Sequence, residues 1–234
     1  MTLGQVVVPD GSNEIAVIPD LLRVLELKGA LVTIDAAGCQ VENATVIRDR
    51  GGDYLLTVKG NQPGLLAAVE AVFTSACETD FARVRHDHFA ETDKDHGRHD
   101  ERYVTVIYRP KGIPDVWPDV RAVVQVNRER TVNGTRTTHY YVSSHAGAAK
   151  VMASLIRGHW GIENQLHWVL DVVFREDASR TQAGHAGANL AMIRRVLVSL
   201  LRRAPGQETL PNKILKAAWD EDYLLKVLEV LPEK

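Results

Sequence analysis

Leu31-Val32-Thr33-Ile34-Asp35-Ala36-Ala37-Gly38-Cys39-Gln40 is the stretch that decides the fold class. Four largely apolar, strand-compatible residues end in an acid and run into a turn of small residues, the pattern of a buried strand with Asp35 at its C-terminal edge. Open α/β sheets place their ligand sites at that edge, which makes Asp35 a site candidate. Outward from it, Gln40 to Arg50 reads as a helix stopped by Gly51-Gly52, and Tyr54 to Val58 as the next strand. Together they predict a βαβ unit with two parallel neighbouring strands and a right-handed crossover.

Upstream, Val6 to Val8 reads as a short strand, Pro9 to Asn13 as a turn, and Pro19 to Leu27 as an amphipathic helix with Pro19 in its first turn. Downstream, Lys59-Gly60-Asn61-Gln62-Pro63 leads into a helix over Leu65 to Ala76. After Cys77 the character changes. Tyr103 to Arg109, Ala122 to Asn127 and Thr135 to Ser143 carry β-branched and aromatic residues, and Asn133-Gly134 marks a hairpin turn, so the middle third reads as a mostly β insertion. His86, His88, His96 and His99, interspersed with Asp87, Asp93, Asp95 and Asp100, read as a solvated loop. The final third reads as helical: Ala148 to Ile156, Trp160 to about Leu170, Gln182 to Arg203, and two short helices within Pro211 to Leu231. Leu190, Ile193, Leu197 and Leu200 form the apolar stripe of the longest.

With 234 residues, 45% of them hydrophobic, the chain can build one sizeable core, or a core with an inserted lobe. No apolar run approaches the ~20 residues that cross a bilayer, and the first residues lack the basic-then-apolar order of a signal peptide. The two cysteines, Cys39 and Cys77, have no Cys-x-x-Cys spacing, and a reducing cytoplasm is the expected setting. A formal net charge of −2 gives no global basic footprint, so contact with nucleic acid must rest on local clusters. Candidates are Arg194, Arg195, Arg202 and Arg203 on the late helix, and Arg98, Arg102, Arg109 and Lys111 in the middle; solvated surface is the alternative for each.

The second informative stretch is Ile156-Arg157-Gly158-His159-Trp160-Gly161-Ile162-Glu163-Asn164-Gln165-Leu166-His167-Trp168-Val169-Leu170-Asp171. Read at 3.6 residues per turn, His159, Glu163, His167 and Asp171 share one face, with an apolar stripe beside them. Three ligands stacked over two turns of a straight helix are too far apart for one zinc ion, so a His159/Glu163/His167 zinc site is the weaker reading. Trp160 and Trp168 have two readings, stacking on an unpaired base or packing in the core.

Asp35 at a strand end, Lys59-Gly60-Asn61-Gln62, and the run from Arg157 through His159-Trp160, Ile162-Glu163-Asn164, Leu166-His167-Trp168 and Leu170-Asp171-Val172 to Glu176-Asp177 together closely resemble DDE-type insertion-sequence transposases. The group that includes the H-repeat-associated proteins is the nearest likeness. It also takes in Ser12-Asn13-Glu14-Ile15, His96-Gly97-Arg98 with Glu101 and Arg102, and Tyr141-Val142-Ser143-Ser144.

The resemblance implies a ribonuclease-H-like α/β core in which three acids hold two divalent metals for phosphodiester hydrolysis and strand transfer. Asp35 matches the second acid and Glu163 the third, as catalytic residues and ligands of Mg²⁺, for which Mn²⁺ substitutes. The implied organisation is a first part of the core over 1–77, a β-rich insertion over 78–146, and a helical part carrying the glutamate over 147–234. Lys59, Asn61, Arg98, Arg102, Arg157, His159, Trp160, Asn164 and His167 are the expected DNA contacts. The implied partners are double-stranded DNA, as terminal inverted repeats and target, and an intact transposase by self-association. The expected setting is a bacterial cytoplasm, associated with the nucleoid when on DNA, with no membrane.

Two departures bear on activity. The family's first acid, in a segment resembling Asp-Gly-Lys, aligns upstream of Leu3-Gly4-Gln5. The expectation is therefore an incomplete core lacking its first strand, with strand cleavage severely impaired. Where the broader superfamily has Tyr, Arg and Lys around the glutamate, this chain has Ile156, His159 and Leu170. A non-catalytic remnant, or a DNA-binding regulator that interferes with intact transposase, is the alternative function; a metal-dependent nuclease outside transposition is a third.

Overall fold

The computed structural model describes residues 3–9, 11–95, 98–130, 135–162, 166–181 and 183–229. They fall into two compact units: Val8–His159, and the described residues of Met1–Val7 with Trp160–Lys234.

In the first unit, α1 (Glu14–Val24) begins well before Pro19. Asn13 Oδ1 accepts from the Ala16 N–H at 3.1 Å and caps the helix there. Pro19 lies inside it, buried, at the cost of one backbone hydrogen bond. Residues 6–8 form no strand, which corrects the reading from their apolar pattern.

β1 (Leu31–Ile34) and β2 (Asp53–Val58) flank α2 (Val41–Asp49) and pair in parallel, Leu31 opposite Asp53 and Ile34 opposite Leu56. α3 (Pro63–Glu78) follows, with Pro63 opening its first turn. The chain then forms four antiparallel strands: β3 (His86–Asp95), β4 (Arg98–Tyr108), β5 (Ala122–Arg130) and β6 (Thr135–Ser143). β6 pairs antiparallel with β2, Leu55 opposite Ser143, and all six strands make one sheet in the order β1-β2-β6-β5-β4-β3.

β3 corrects the solvated-loop reading of the histidine-rich run. It is an edge strand, and edges favour charged, polar residues, so the apolar alternation that announces a central strand is missing. His96 and the side chain of His99 lie outside the described residues.

Both faces of the sheet are covered. Tyr54, Leu56, Ile107, Val123 and Val142 pack with Leu22, Ile47, Val69 and Phe73 from α1, α2 and α3. The residues of opposite parity, Leu55, Val106, Val124 and Tyr141, pack with Met152, Ala153 and Ile156 of α4 (Ala149–Ile162). Period-two alternation thus sorts each strand into two cores. The Tyr141-Val142-Ser143-Ser144 motif closes the sheet: Ser143 Oγ donates to the Tyr54 carbonyl at 2.6 Å, and Ser144 Oγ accepts from the Tyr54 N–H at 3.0 Å while donating to Asp53 at 2.7 Å.

In the second unit a π-helical turn (Val169–Val173) precedes α5 (Ala186–Arg203), α6 (Leu210–Trp219) and α7 (Glu221–Glu229). Val169 and Leu170 pack on Val198, and Leu200, Leu201 and Ala204 on Tyr223 and Val227. The predicted stripe of α5 is therefore displaced: Val198, Leu200 and Leu201 are its buried residues, whereas Ile193 is 54% and Leu197 36% exposed.

Lys213 on α6 is buried, its ammonium donating to the carbonyls of Leu201 at 3.1 Å and Ala204 at 2.7 Å at the end of α5. A cation there meets both the orphan carbonyls and the negative end of the helix dipole. Lys213→Met is expected to destabilise this unit by about 2 kcal/mol, because two buried acceptors lose their donor. Urea unfolding followed by circular dichroism measures this; an unchanged midpoint would remove the capping role.

Candidate metal and nucleic-acid site

Asp35 follows the last residue of β1 and is exposed. Its Oδ1 accepts from the Gly38 N–H at 3.1 Å, closing a three-residue turn, and Asn43 of α2 donates to the Gly38 carbonyl at 2.9 Å. Gly38 and Cys39 are both buried. Burial pushes the Cys39 thiol up to about 12, so it acts as a small apolar filler and not as a nucleophile.

Because β1 and β2 are parallel, their C-terminal ends lie together. That brings Lys59-Gly60-Asn61-Gln62 to the turn behind Asp35. Asn61 Nδ2 donates to the Ala36 carbonyl at 2.6 Å, and Gln62 Nε2 to the Cys39 carbonyl at 2.9 Å and to Gln40 at 3.0 Å. Both amides thus tie the second loop to the first, a positioning role that the sequence alone did not indicate. Lys59 is exposed and near His139 of β6, whose pKa is lowered by burial first and then by the positive charges of Lys59 and Arg128.

From the other face, His159 on α4 hydrogen-bonds through Nδ1 to Thr33 Oγ1 at 3.1 Å. Thr33 and Asp35 are two residues apart along the β1 direction, so the imidazole sits on the face of β1 that leads to the acid. Arg157, two residues earlier on α4, and Arg102 on β4 both reach the carboxylate of Glu91 on β3, Arg102 at 3.3 Å. Two of the expected phosphate contacts therefore share one acid. Glu91 was not found from sequence, because nothing local to it signals partners 11 and 66 residues away.

Glu163 and Asn164 lie outside the described residues, as does the side chain of Arg98. Trp160 and His167 belong to the second unit. Trp160 is 39% and Trp168 56% exposed, which removes the core reading of both. The break expected between a helix ending at Ile156 and one beginning at Trp160 is corrected, since α4 runs over Ala149–Ile162, and Val169–Val173, at the end of the second expected helix, winds as a π-helix, whose wider turn does not keep residues four apart on one line. Carboxylate oxygens such as those of Asp35 are the hard donors that suit Mg²⁺. Among the described residues no three His, Cys, Asp or Glu side chains gather to hold a metal ion. No helix among them is long and apolar enough to cross a membrane.

Residues 1–201 match the family described as "Transposase DDE domain". Over 97% of its length the chain is 36% identical to "Putative protein YbfL" and 35% identical to "H repeat-associated putative transposase YhhI", both of Escherichia coli strain K12. It is 39% identical, over the same share, to "Putative transposase YncI" of Escherichia coli O157:H7. The aligned part covers 62%, 62% and 60% of these three relatives, so the chain spans about three fifths of their length. No solved structure matches it. With a family match over most of its residues and relatives of this likeness along nearly its whole length, the chain belongs to the DDE-domain transposase family.

Proposed function

We propose that this chain is the catalytic-domain portion of an insertion-sequence transposase, acting on phosphodiester bonds of double-stranded DNA at element ends in the bacterial cytoplasm. The observation that carries the reading is the turn at Asp35: an exposed carboxylate at the C-terminal edge of a parallel strand pair, held by a backbone N–H that α2 in turn fixes. The parallel β1-α2-β2 unit continued by antiparallel strands supports a ribonuclease-H-like core over 1–77, with 78–146 as the insertion and 147–234 as the helical part.

In this reading Asp35 and Glu163 are the catalytic carboxylates and the ligands of a hard divalent cation, Mg²⁺ or in its place Mn²⁺. When bound, the cation supplies Lewis-acid activation of the attacking oxygen and stabilises the leaving one. The chain's own residues supply placement. Gly38 orients the Asp35 carboxylate, and Asn61 and Gln62 hold its loop. Lys59, Arg98, Arg102, Arg157 and Asn164 offer donors to phosphate oxygens, with His159 and His167 as imidazole contacts. Trp160, exposed, offers a flat face to an unpaired base.

The test is incubation of the chain with Mg²⁺ or Mn²⁺ and duplexes that carry the element's terminal inverted repeats, beside random duplexes of equal length. Preferential binding of the repeat ends, with cutting that is weak and confined to them, is the expected result. Indiscriminate cutting abolished by Asp35→Ala would replace the transposase reading with a general nuclease. Repeat-specific binding without cutting would assign the chain as a regulator of an intact transposase.

A further inference from the structure

Away from Asp35, four strand ends meet in a ladder of backbone hydrogen bonds: the Tyr108 N–H donates to the Arg85 carbonyl at 2.9 Å, the Arg109 N–H to the Arg121 carbonyl at 2.8 Å, and the Arg121 N–H to the Ser143 carbonyl at 2.9 Å. Strands in a sheet lie about 4.8 Å apart, so this ladder gathers Arg85, Arg109 and Arg121 at one end of the sheet, Arg85 one rung from the Arg109–Arg121 pair. Arg85, Arg109 and Arg121, with Tyr108, line an open cleft of about 360 Å³. A second cleft of about 420 Å³ shares Arg85, Tyr108 and Arg109 and adds Arg83 and Lys111.

Five cations thus border two adjoining clefts, and no carboxylate is among the lining residues. None of the five makes an ion pair with another described residue. Arg85 stands over the Tyr108 ring at 5.1 Å, and the acid Asp87, which acts on Tyr108 electrostatically, is occupied in accepting from the Ala149 N–H at 2.8 Å. Arg109 sits at a φ of 49°, in the left-handed region. A non-glycine residue kept there at an energetic cost is a recurrent mark of functional sites.

We propose that these clefts are a second DNA contact, a seat for the sugar-phosphate backbone of a duplex. They lie at the end of the sheet opposite Asp35, because β2 runs from the Ser143 ladder toward the C-terminal edge of β1. The choice of DNA rests on the transposase reading; the array itself suits a polyanion better than one small anion, since five charges spread over two clefts exceed what a single phosphate can engage. Contacts of this kind position the duplex without reading its sequence. A phosphate held here is remote from the one at Asp35, so the duplex is gripped at two places on this unit.

The test is fluorescence anisotropy of the whole chain with a labelled random-sequence duplex, titrated from low to moderate salt. Replacing Arg85, Arg109 and Arg121 together (R85Q, R109G, R121Q) is expected to lower affinity at least about tenfold and to flatten the slope of log affinity against log salt by roughly 3, since each neutralised phosphate contributes about 0.9. R109G alone separates contact from folding: glycine accepts the positive φ, so the unfolding midpoint holds or rises while affinity falls. An unchanged salt slope in the triple variant, or polyglutamate bound as tightly as DNA, would overturn the proposal. The triple variant leaves Asp35 and its turn untouched, so the catalytic reading is read separately by Mn²⁺ affinity and the backbone seat by the salt slope, and the failure of one is distinguishable from the failure of the other.

Discussion

Asp35→Asn should weaken Mn²⁺ binding by the chain at least about a hundredfold, since losing even an outer partner of a metal ligand costs roughly 10–100-fold. It should also remove any divalent-dependent strand cleavage, while leaving thermal unfolding unchanged. The fold is spared because the amide keeps a carbonyl oxygen where the carboxylate Oδ1 accepts from the Gly38 N–H, so the three-residue turn survives. What disappears is the negative charge, and with it the hard anionic donor that a divalent ion needs to give up water. Asp35→Glu keeps the charge but lengthens the side chain by one methylene, which breaks the closure onto Gly38, and should fall between the two. Glu163→Gln is expected to act in the same direction as Asp35→Asn. Isothermal titration with Mn²⁺ reads all three variants. A titration of Asp35→Asn that matches the parent would remove Asp35 from the ligand set, whatever the family suggests.

The βαβ unit was legible because each element carries its own boundary: apolar strands of four and six residues, and a glycine stop at Gly51 that adopts a φ of 75°. β3 was not, since an edge strand needs no apolar alternation and its histidines and acids imitate a loop. The 3.6-residue period read through to Asp171 does not hold over Val169–Val173, because a change to π winding leaves no periodic trace in so few residues. Asp35 could be picked out locally as an acid ending an apolar strand. Its surroundings could not. Thr33 meets His159 across 126 positions, and Glu91 meets Arg157 across 66, and only the fold makes such pairs neighbours. The cationic clefts show the same limit, since Arg85, Arg109 and Arg121 look scattered until the strand ends bring them together.

Gly38 is the position where the site and the core are least separable, and Gly38→Ala is expected to cost about 2 kcal/mol, within the usual 1–3 for overpacking, with Gly38→Val costing more. The reason is room, not backbone freedom, because Gly38 is not among the glycines with positive φ. A Cβ there would collide with Ile34 Cγ2 and come within 3.0 Å of Ile18 Cδ1. Ile34 ends β1 and packs on the first core, so it cannot simply swing away. The turn must move instead, and it carries both the N–H that orients Asp35 and the carbonyl that Asn43 holds. Stability and Mn²⁺ affinity should therefore fall together in Gly38→Ala, unlike Asp35→Asn, where affinity alone falls. A double-mutant cycle with Ile34→Ala tests the cause: removing the colliding methyl should make the pair less destabilising than the sum of the single changes. Strict additivity, or a Gly38→Ala variant as stable as its parent in urea, would show that the turn has slack. Gly38 would then be a chance occupant and not the residue that seats the acid.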